Sequence, residues 1–215
     1  VIKAVIFDFD GVVADTEPIH RKSFNMTLKQ LGITIPRKLY KEKYVGLGSL
    51  SIMEDVFRTH NIKRNAKLWV EKRMVVFRKL VRKGEVEPVK GFMKFNKLLN
   101  KLGMKKIIAS GGYRKNVLAV LKCLKLDRDF QFISREDVEK RKPDPAAFLL
   151  AAKRLGLKPS ECIVFEDSPY GVEAARRAGM KCVALTTSLD RSYFRRNCVV
   201  VKDFREVNLK LLHRL

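Results

Sequence analysis

Apolar residues along the chain form two kinds of run, and the two kinds are unevenly distributed. Short continuous apolar stretches at 2–9, 105–110, 130–134, 162–165, 181–186 and 198–201 predict strands buried on both faces. Elsewhere the apolar positions recur at helical spacing. Ile19, Phe24, Leu28 and Leu31 predict a helix over 18–31 stopped by Gly32. Further helices are predicted at 40–44, 50–60 and 66–81, with Val45-Gly46-Leu47-Gly48-Ser49 as a loop between the first two. From residue 92 onward helix and strand alternate. The helices fall at 92–102, 115–124, 145–155, 170–178 and 204–213, several of them closed by a glycine such as Gly103, Gly156 or Gly179.

Repeated strand–helix alternation predicts an α/β fold with a doubly wound parallel sheet, helices covering both of its faces. The strand-poor stretch that follows the first strand reads as an all-helical insertion, and 84–91, with Pro88 inside it, as a linker back. The expected organisation is an α/β core domain of residues 1–15 and 89–215 with a helical domain of residues 16–88 inserted in it. No internal repeat or low-complexity segment interrupts this pattern.

A chain of 215 residues that is 46% hydrophobic and 32% charged can bury a full core. No run approaches the roughly 20 apolar residues of a membrane-spanning helix, and the first ten residues carry no basic segment or cleavage site of a signal peptide. Cys123, Cys162, Cys182 and Cys198 are widely spaced, with no Cys-x-x-Cys pair. The last three fall in predicted strands, and all four read as core thiols of a reducing cytoplasm. The net charge of +23 favours anionic partners, from phosphorylated metabolites to non-specific nucleic acid. The basic residues are nevertheless spread along the whole chain, as on a solvated, highly charged surface.

Polar groups gather where predicted strands end. The stretch Ala4-Val5-Ile6-Phe7-Asp8-Phe9-Asp10-Gly11 closes an apolar strand with two carboxylates one residue apart. Side chains repeat every second residue in a strand, so Asp8 and Asp10 are expected on one face at the carboxyl edge, where open parallel sheets bind ligands. Neighbouring carboxylates repel, so one tends to hold its proton while the other ionises, which suits an acid/base and a nucleophile beside a divalent metal. Taken alone, the same residues also describe a strand entering a turn. Ser110-Gly111-Gly112 and Glu166-Asp167-Ser168 end two later strands, and Lys140-Arg141-Lys142-Pro143-Asp144-Pro145 leads into a helix with its backbone restricted by prolines. Each has an ordinary reading as a turn, a solvated charge or a helix N-terminal acid; their joint occurrence in this order is what points to chemistry.

The set Asp8-x-Asp10-Gly11, Ser110, Lys142 and Glu166-Asp167 resembles the four motifs of the haloacid dehalogenase (HAD) superfamily, over essentially the whole chain. Asp15-Thr16-Glu17-Pro18, Lys142-Pro143-Asp144-Pro145 and Phe165-Glu166-Asp167-Ser168 are similar to the branch of β-phosphoglucomutase and sugar-phosphate phosphatases, in which a helical cap follows the first motif. The resemblance implies that Asp8 attacks phosphorus and forms an aspartyl-phosphate. Asp10 would protonate the leaving oxygen and then deprotonate water, with its pKa raised by neighbouring carboxylates. Mg²⁺ would be held by Asp8, the backbone carbonyl of Asp10 and Asp167, with Glu166 in or near its shell. Ser110 and the backbone N–H groups at Gly11 and Gly111 would hold phosphoryl oxygens, and Lys142 would offset negative charge.

Asp10 argues against the dehalogenases, which lack this acid/base. The loop Gly46-Leu47-Gly48-Ser49 is expected to face the site; the mutases usually carry an arginine a few residues after its glycine, where this chain has Ser49, Leu50 and Ser51. Lys72 or Arg73 is a candidate cation toward substrate, the alternative being an exposed base on a basic helix. His20 is a candidate to line the cap hinge, the alternative being a surface histidine, and Trp69 is assigned to the cap core. The implied function is a Mg²⁺-dependent phosphatase of a small phosphorylated metabolite, with a sugar phosphate as the candidate. A phosphosugar mutase is the first alternative, and a non-catalytic basic nucleic-acid-binding protein on the same scaffold is the second. A monomer with no membrane or specific nucleic-acid partner is the default expectation.

Overall fold

The computed structural model describes residues 1–194 and 198–214. Its main sheet contains β1 (Ala4–Phe7), β4 (Lys105–Ala109), β5 (Phe132–Ile133), β6 (Cys162–Glu166), β7 (Lys181–Leu185) and β8 (Val199–Val201). Their order is β5-β4-β1-β6-β7-β8, and every neighbouring pair is parallel. The chain therefore builds outward from β1 in one direction and returns to build in the other. That reversal opens a crevice at the carboxyl end of β1, between β4 and β6.

All four residues of β1 are buried, and they alternate between two apolar clusters. Val5 and Phe7 face a phenylalanine-rich layer made by α5 (Phe92–Lys101), α6 (Arg114–Cys123), a 3₁₀ turn at Phe204–Glu206 and the final helix, α9 (Leu209–Arg214). Phe7 packs edge-on against Phe92 and Phe95 and stacks on Phe165, with ring centroids 5.4, 6.2 and 5.7 Å away. Ala4 and Ile6 face α7 (Ala146–Leu155) and α8 (Pro169–Arg177), whose buried alanines let these helices lie close to the sheet. Truncating Phe7 to alanine would cost about 3–5 kcal/mol.

The helical region consists of α1 (Glu17–Leu28), the short α2 (Arg37–Leu39) continued by a π-helical turn at Tyr40–Tyr44, α3 (Ser49–Thr59) and α4 (Ala66–Arg82). It has its own apolar cluster, in which Trp69 is buried edge-on to Phe57 beside Phe24, Leu28, Tyr40 and Met53. The carboxyl-terminal half of α4 leaves that cluster: Phe77, Leu80 and Val81 pack into the sheet's phenylalanine layer. One helix thus belongs to both regions. A two-residue antiparallel ribbon, β2 (Ala14–Asp15) with β3 (Glu87–Pro88), joins the strands of chain that enter and leave the helical region.

Several expected boundaries move. The first strand ends at Phe7 rather than at residue 9, and the linker at 84–91 contains β3. The helix expected at 18–31 runs only to Leu28 before tightening into a 3₁₀ turn at Lys29–Leu31. The helix expected at 204–213 is broken: Asp203 caps a 3₁₀ turn by accepting from the Arg205 N–H, and Val207 is extended before α9 begins. Phe204 and Val207 are both buried, so anchoring them to the core replaces a continuous helix. Cys198 precedes β8 rather than lying in it, and all four cysteines are free. Among the described residues no helix is long and apolar enough to cross a membrane.

Candidate active site

The site begins where β1 stops. Asp8 still donates its backbone N–H to the Phe165 carbonyl at 2.9 Å, and the chain then turns: the N–H groups of Val12, Val13 and Ala14 all point to the Phe9 carbonyl. Gly11 makes this turn possible in two ways. Its φ of +72° suits glycine, and a Cβ there would overlap the carboxylate of Asp167 and the hydroxyl of Ser188. Asp8 and Asp10 thus reach one cavity by a turn beyond the strand, not by strand alternation.

Beyond β6 the packing is equally tight. Glu166 Oε2 accepts from the N–H groups of Asp167 and Ser168 at 2.8 Å each and from Ser168 Oγ at 2.9 Å, while Oε1 accepts from Lys142 at 2.8 Å. Ser168 also caps α8 by accepting from the Gly171 N–H. Gly171 is required for space, since a Cβ there would overlap the Glu166 carboxylate. Lys142, on the loop before α7, reaches Asp8 Oδ1 at 2.5 Å and the Ala109 carbonyl at 3.2 Å, with its ammonium 4.5 Å from the centre of the Phe148 ring. Ser110 is buried at the end of β4, its hydroxyl accepting from the Gly112 N–H at 2.9 Å.

Carboxylate oxygens of Asp8, Glu166 and Asp167 lie within 4.8 Å of one another, and all three residues are buried. Burial and the charges of Glu166 and Asp10 raise the pKa of Asp8 to about 8 against the pull of Lys142. Burial, with Glu166 and Asp8 nearby, pushes Asp167 well above the usual carboxylate range despite its bond from Ser188. Burial opposes the charge of Lys142, but Asp8 and Glu166 together hold its pKa above the ordinary value. Three clustered acids and one lysine in a desolvated place favour retained protons on Asp8 and Asp167, which a cation could replace. An all-oxygen donor set of this kind fits a hard divalent cation such as Mg²⁺.

The opposite wall comes from the helical region. Asp10 Oδ1 accepts from Thr16 Oγ1 at 2.5 Å and from His20 Nε2 at 3.0 Å. The other ring nitrogen of His20 meets Nη2 of Arg73, and the ring stacks on Phe77 with centroids 4.6 Å apart. A guanidinium can only donate, which assigns His20 Nδ1 as the acceptor and Nε2 as the N–H that faces Asp10. Arg73 is 1% exposed and also donates to Ser23 Oγ at 2.8 Å and Ser49 Oγ at 3.0 Å.

One expectation changes here, and two alternatives fall away. Burial would raise the Asp10 pKa, but His20, Thr16 and Arg73 outweigh it and hold the carboxyl below its ordinary value. The expected rise fails because these donors surround Asp10 more closely than the other carboxylates do. Arg73 is not an exposed base, whereas Lys72 beside it is, lying over the Trp69 ring at 4.9 Å. His20 is a link between the two walls and not a surface histidine.

The cavity between the walls measures about 380 Å³. Asp8, Asp10, Ser110, Gly111, Lys142, Glu166 and Asp167 line it from the sheet side, and His20, Gly46, Ser49 and Arg73 from the helical side. Gly11 lies behind Asp167 and Ser188 instead. Sequence reasoning missed Thr16, Gly171, Thr187 and Ser188 as parts of this arrangement; Thr187 Oγ1 donates to the Gly11 carbonyl at 2.5 Å. It also missed Glu17 and Tyr40, both of which line the cavity; Glu17 Oε2 is buried without a hydrogen-bond partner. Thr187 and Ser188 form a polar run directly after a buried strand, the same pattern that exposed Ser110 and Asp167.

The chain belongs to the haloacid dehalogenase-like hydrolases: the model of that family matches residues 5–185. The protein YhcW of Bacillus subtilis is 36% identical over 183 residues, which cover 85% of this chain and 82% of YhcW. A phosphorylated carbohydrates phosphatase of Thermotoga maritima is 30% identical over 186 residues, covering 84% of this chain and 83% of its own. In fold, the chain is similar to the crystal structure of β-phosphoglucomutase from Clostridium difficile, with a TM-score of 0.86 at 23% identity over all of this chain and 96% of that one. The protein is an enzyme of the HAD phosphatase type.

Proposed function

We propose that the enzyme hydrolyses a small phosphorylated metabolite, a sugar phosphate first among the candidates, through a covalent aspartyl-phosphate on Asp8. The observation that carries this reading is the division of two carboxylates within one cavity. Asp8 sits among acids against Lys142, while Asp10 is held apart from them by Thr16 and His20. A nucleophile and a proton carrier need such different surroundings.

Asp8, whose pKa is raised to about 8, first gives its proton to solvent. Its ionised Oδ then attacks phosphorus as the ester bond breaks, and Asp10 delivers a proton to the departing alcohol oxygen. Asp10 is a carboxylate in the free enzyme, and the negative charge of an arriving phosphoryl group favours its protonation. Having given up that proton, it takes one from the water that hydrolyses the Asp8 ester. Ser110 and the N–H groups around Gly111 orient phosphoryl oxygens, and Lys142 offsets their charge. Asp8 and Asp167 would hold Mg²⁺ with Glu166 beside them, and the ion would supply further charge neutralisation at the phosphoryl oxygens.

Residues 16–88 act in this reading as a cap over a core of residues 1–15 and 89–215. The similarity to a phosphatase of phosphorylated carbohydrates supports the substrate class. Ser49, Leu50 and Ser51 stand where the resemblance places a mutase arginine, which supports hydrolysis over a mutase reaction. A cytoplasmic monomer acting on a small molecule completes the reading.

Phosphate release should be measured with Mg²⁺ over phosphorylated sugars, glycolytic acids and nucleotides, with Asp8→Asn as control. We expect release that falls at least about a thousandfold in the variant. Conversion of β-glucose 1-phosphate to glucose 6-phosphate with little release would instead establish a mutase.

A further inference from the structure

We propose that the rim of the cavity holds a second anion-binding position, formed by Arg135 and Arg141, so that the substrate carries a carboxylate or a second phosphate at the end remote from Asp8. This deepens the phosphatase reading and rests on it.

Arg141 immediately precedes Lys142, and the two side chains serve different ends of one cavity. Lys142 turns down onto Asp8 and Glu166. Arg141 turns toward the helical region, where its guanidinium occupies the space that a Cβ on Gly48 would fill. Gly48 has an ordinary extended backbone, with φ of −71°, so its lack of a side chain serves space and not conformation. Arg141 therefore spans from the sheet wall to the cap loop, and the cap loop has made room for it.

Arg135 approaches the same place from the turn after β5. Its position is fixed by donation to the Val138 carbonyl at 2.5 Å and the Glu139 carbonyl at 3.2 Å. Both arginines line the main cavity and a side cleft beside it, the cleft being completed by Leu50, Ser51, Tyr113, Glu136 and Val138. Neither has a carboxylate within ion-pair distance among the described residues. The nearby acids are engaged elsewhere: Glu136 accepts from the Arg114 backbone N–H, and Asp137 binds Ser134, Arg114 and Arg154.

Two guanidinium groups close together without a counter-charge disfavour each other, and burial and Arg135 both push the pKa of Arg141 down. An anion between them would relieve that repulsion and complete their donor forks. Many bases on this chain are unpaired, as its net charge of +23 requires. Lys140 also lines the cavity of the nucleophile, but of the described bases only Arg135 and Arg141 line both that cavity and the side cleft.

The test uses matched substrates: glycerol 3-phosphate against 3-phosphoglycerate, and fructose 1-phosphate against fructose 1,6-bisphosphate. Wild type should prefer the doubly anionic member of at least one pair by about tenfold or more in kcat/KM, and the pair that shows it distinguishes carboxylate from phosphate. Arg141→Ala and Arg135→Ala should each reduce that ratio by about tenfold, with Arg141→Lys intermediate. Lys153→Ala, which removes an exposed charge on α7, should leave the ratio unchanged. A wild-type ratio near one in both pairs would overturn the proposal. So would variants that lower both members equally, or an equal effect of Lys153→Ala, which would mean a diffuse field. If no compound is hydrolysed, the phosphatase reading fails; calorimetric binding of the same four compounds then decides the subsite without turnover, by the same ratios.

Discussion

The two walls of the cavity are built on opposite principles. On the sheet side, acids are crowded together: Asp8 and Glu166 share Lys142, Asp167 lies beside them without a lysine of its own, and burial raises the pKa of Asp8 and Asp167. On the helical side, donors converge on one acid, and Thr16, His20 and Arg73 hold Asp10 below its usual pKa. The first wall is short of positive charge and suits a metal and a phosphoryl group. The second balances Asp10 with its own donors, while burial raises the pKa of Glu17 beside it, and is suited to moving a proton. Removing a partner should therefore do different things on the two sides.

The largest effect is expected at Lys142. Lys142→Met would leave Asp8 and Glu166 buried without their cation, lowering kcat by about 10²- to 10³-fold and stability by about 3–5 kcal/mol without metal. Because the deficit is one of charge, added Mg²⁺ should recover part of the lost melting temperature, read by thermal denaturation. A variant as stable as wild type without metal would show that the sheet wall is not held by charge balance.

Arg73 is the counterpart on the helical side. Arg73→Ala would strand His20, Ser23 and Ser49 together, and kcat/KM should fall about 10- to 100-fold. Arg73 faces Asp10 and Glu17 and not the three acids that would hold the metal, so Mg²⁺ should not restore stability here. Arg73→Lys, which keeps the charge and loses the fork, should stay impaired. Recovery by Mg²⁺ equal to that of Lys142→Met would erase the distinction between the walls.

The difference between the walls also explains what could be read from the sequence. The sheet-side residues are legible because a parallel sheet brings its carboxyl ends together by topology: any polar residue just after a buried run, such as Asp8, Ser110 or Asp167, is delivered to one edge. Helical residues lack that constraint. Arg73 and Lys72 are adjacent bases on α4, and only the rotation of that helix against α1 decides that one is buried and the other exposed. The pKa of Asp10 was illegible for the same reason, since its donors lie on the helical side. Gly171 shows a further limit: a glycine inside a helix gives no hint that a carboxylate five residues earlier needs its space.

Ser188 sharpens the sheet-side half. Its hydroxyl contacts Asp167 Oδ2, orienting a carboxylate that would hold the metal. Ser188→Ala should weaken Mg²⁺ binding by about tenfold or more, measured by calorimetry on substrate-free protein, with a smaller effect on stability than Lys142→Met. Unchanged Mg²⁺ affinity would remove Asp167 orientation from the role of this loop.

The smallest effect concerns the rims. Asp55 anchors Tyr44 beside the cap loop, accepting from its hydroxyl at 2.7 Å, and Asp137 anchors the turn that carries Arg135. Burial opposes the charge of Asp137, but bonds from Ser134 and Arg154 and the nearby Arg114 bring its pKa down from 3.8 to about 2. A carboxyl with a depressed folded-state pKa contributes stability that is fully present above the unfolded value. That contribution is lost as pH falls through the folded value. Asp137→Asn should thus be less stable than wild type by about 1 kcal/mol at pH 7, and the gap should close as pH falls from about 4 to 2. Denaturant titrations of both proteins across that range would show it. A gap that persists at pH 2 would mean that the asparagine disturbs packing of the turn, and that the rim is held by shape and not by charge.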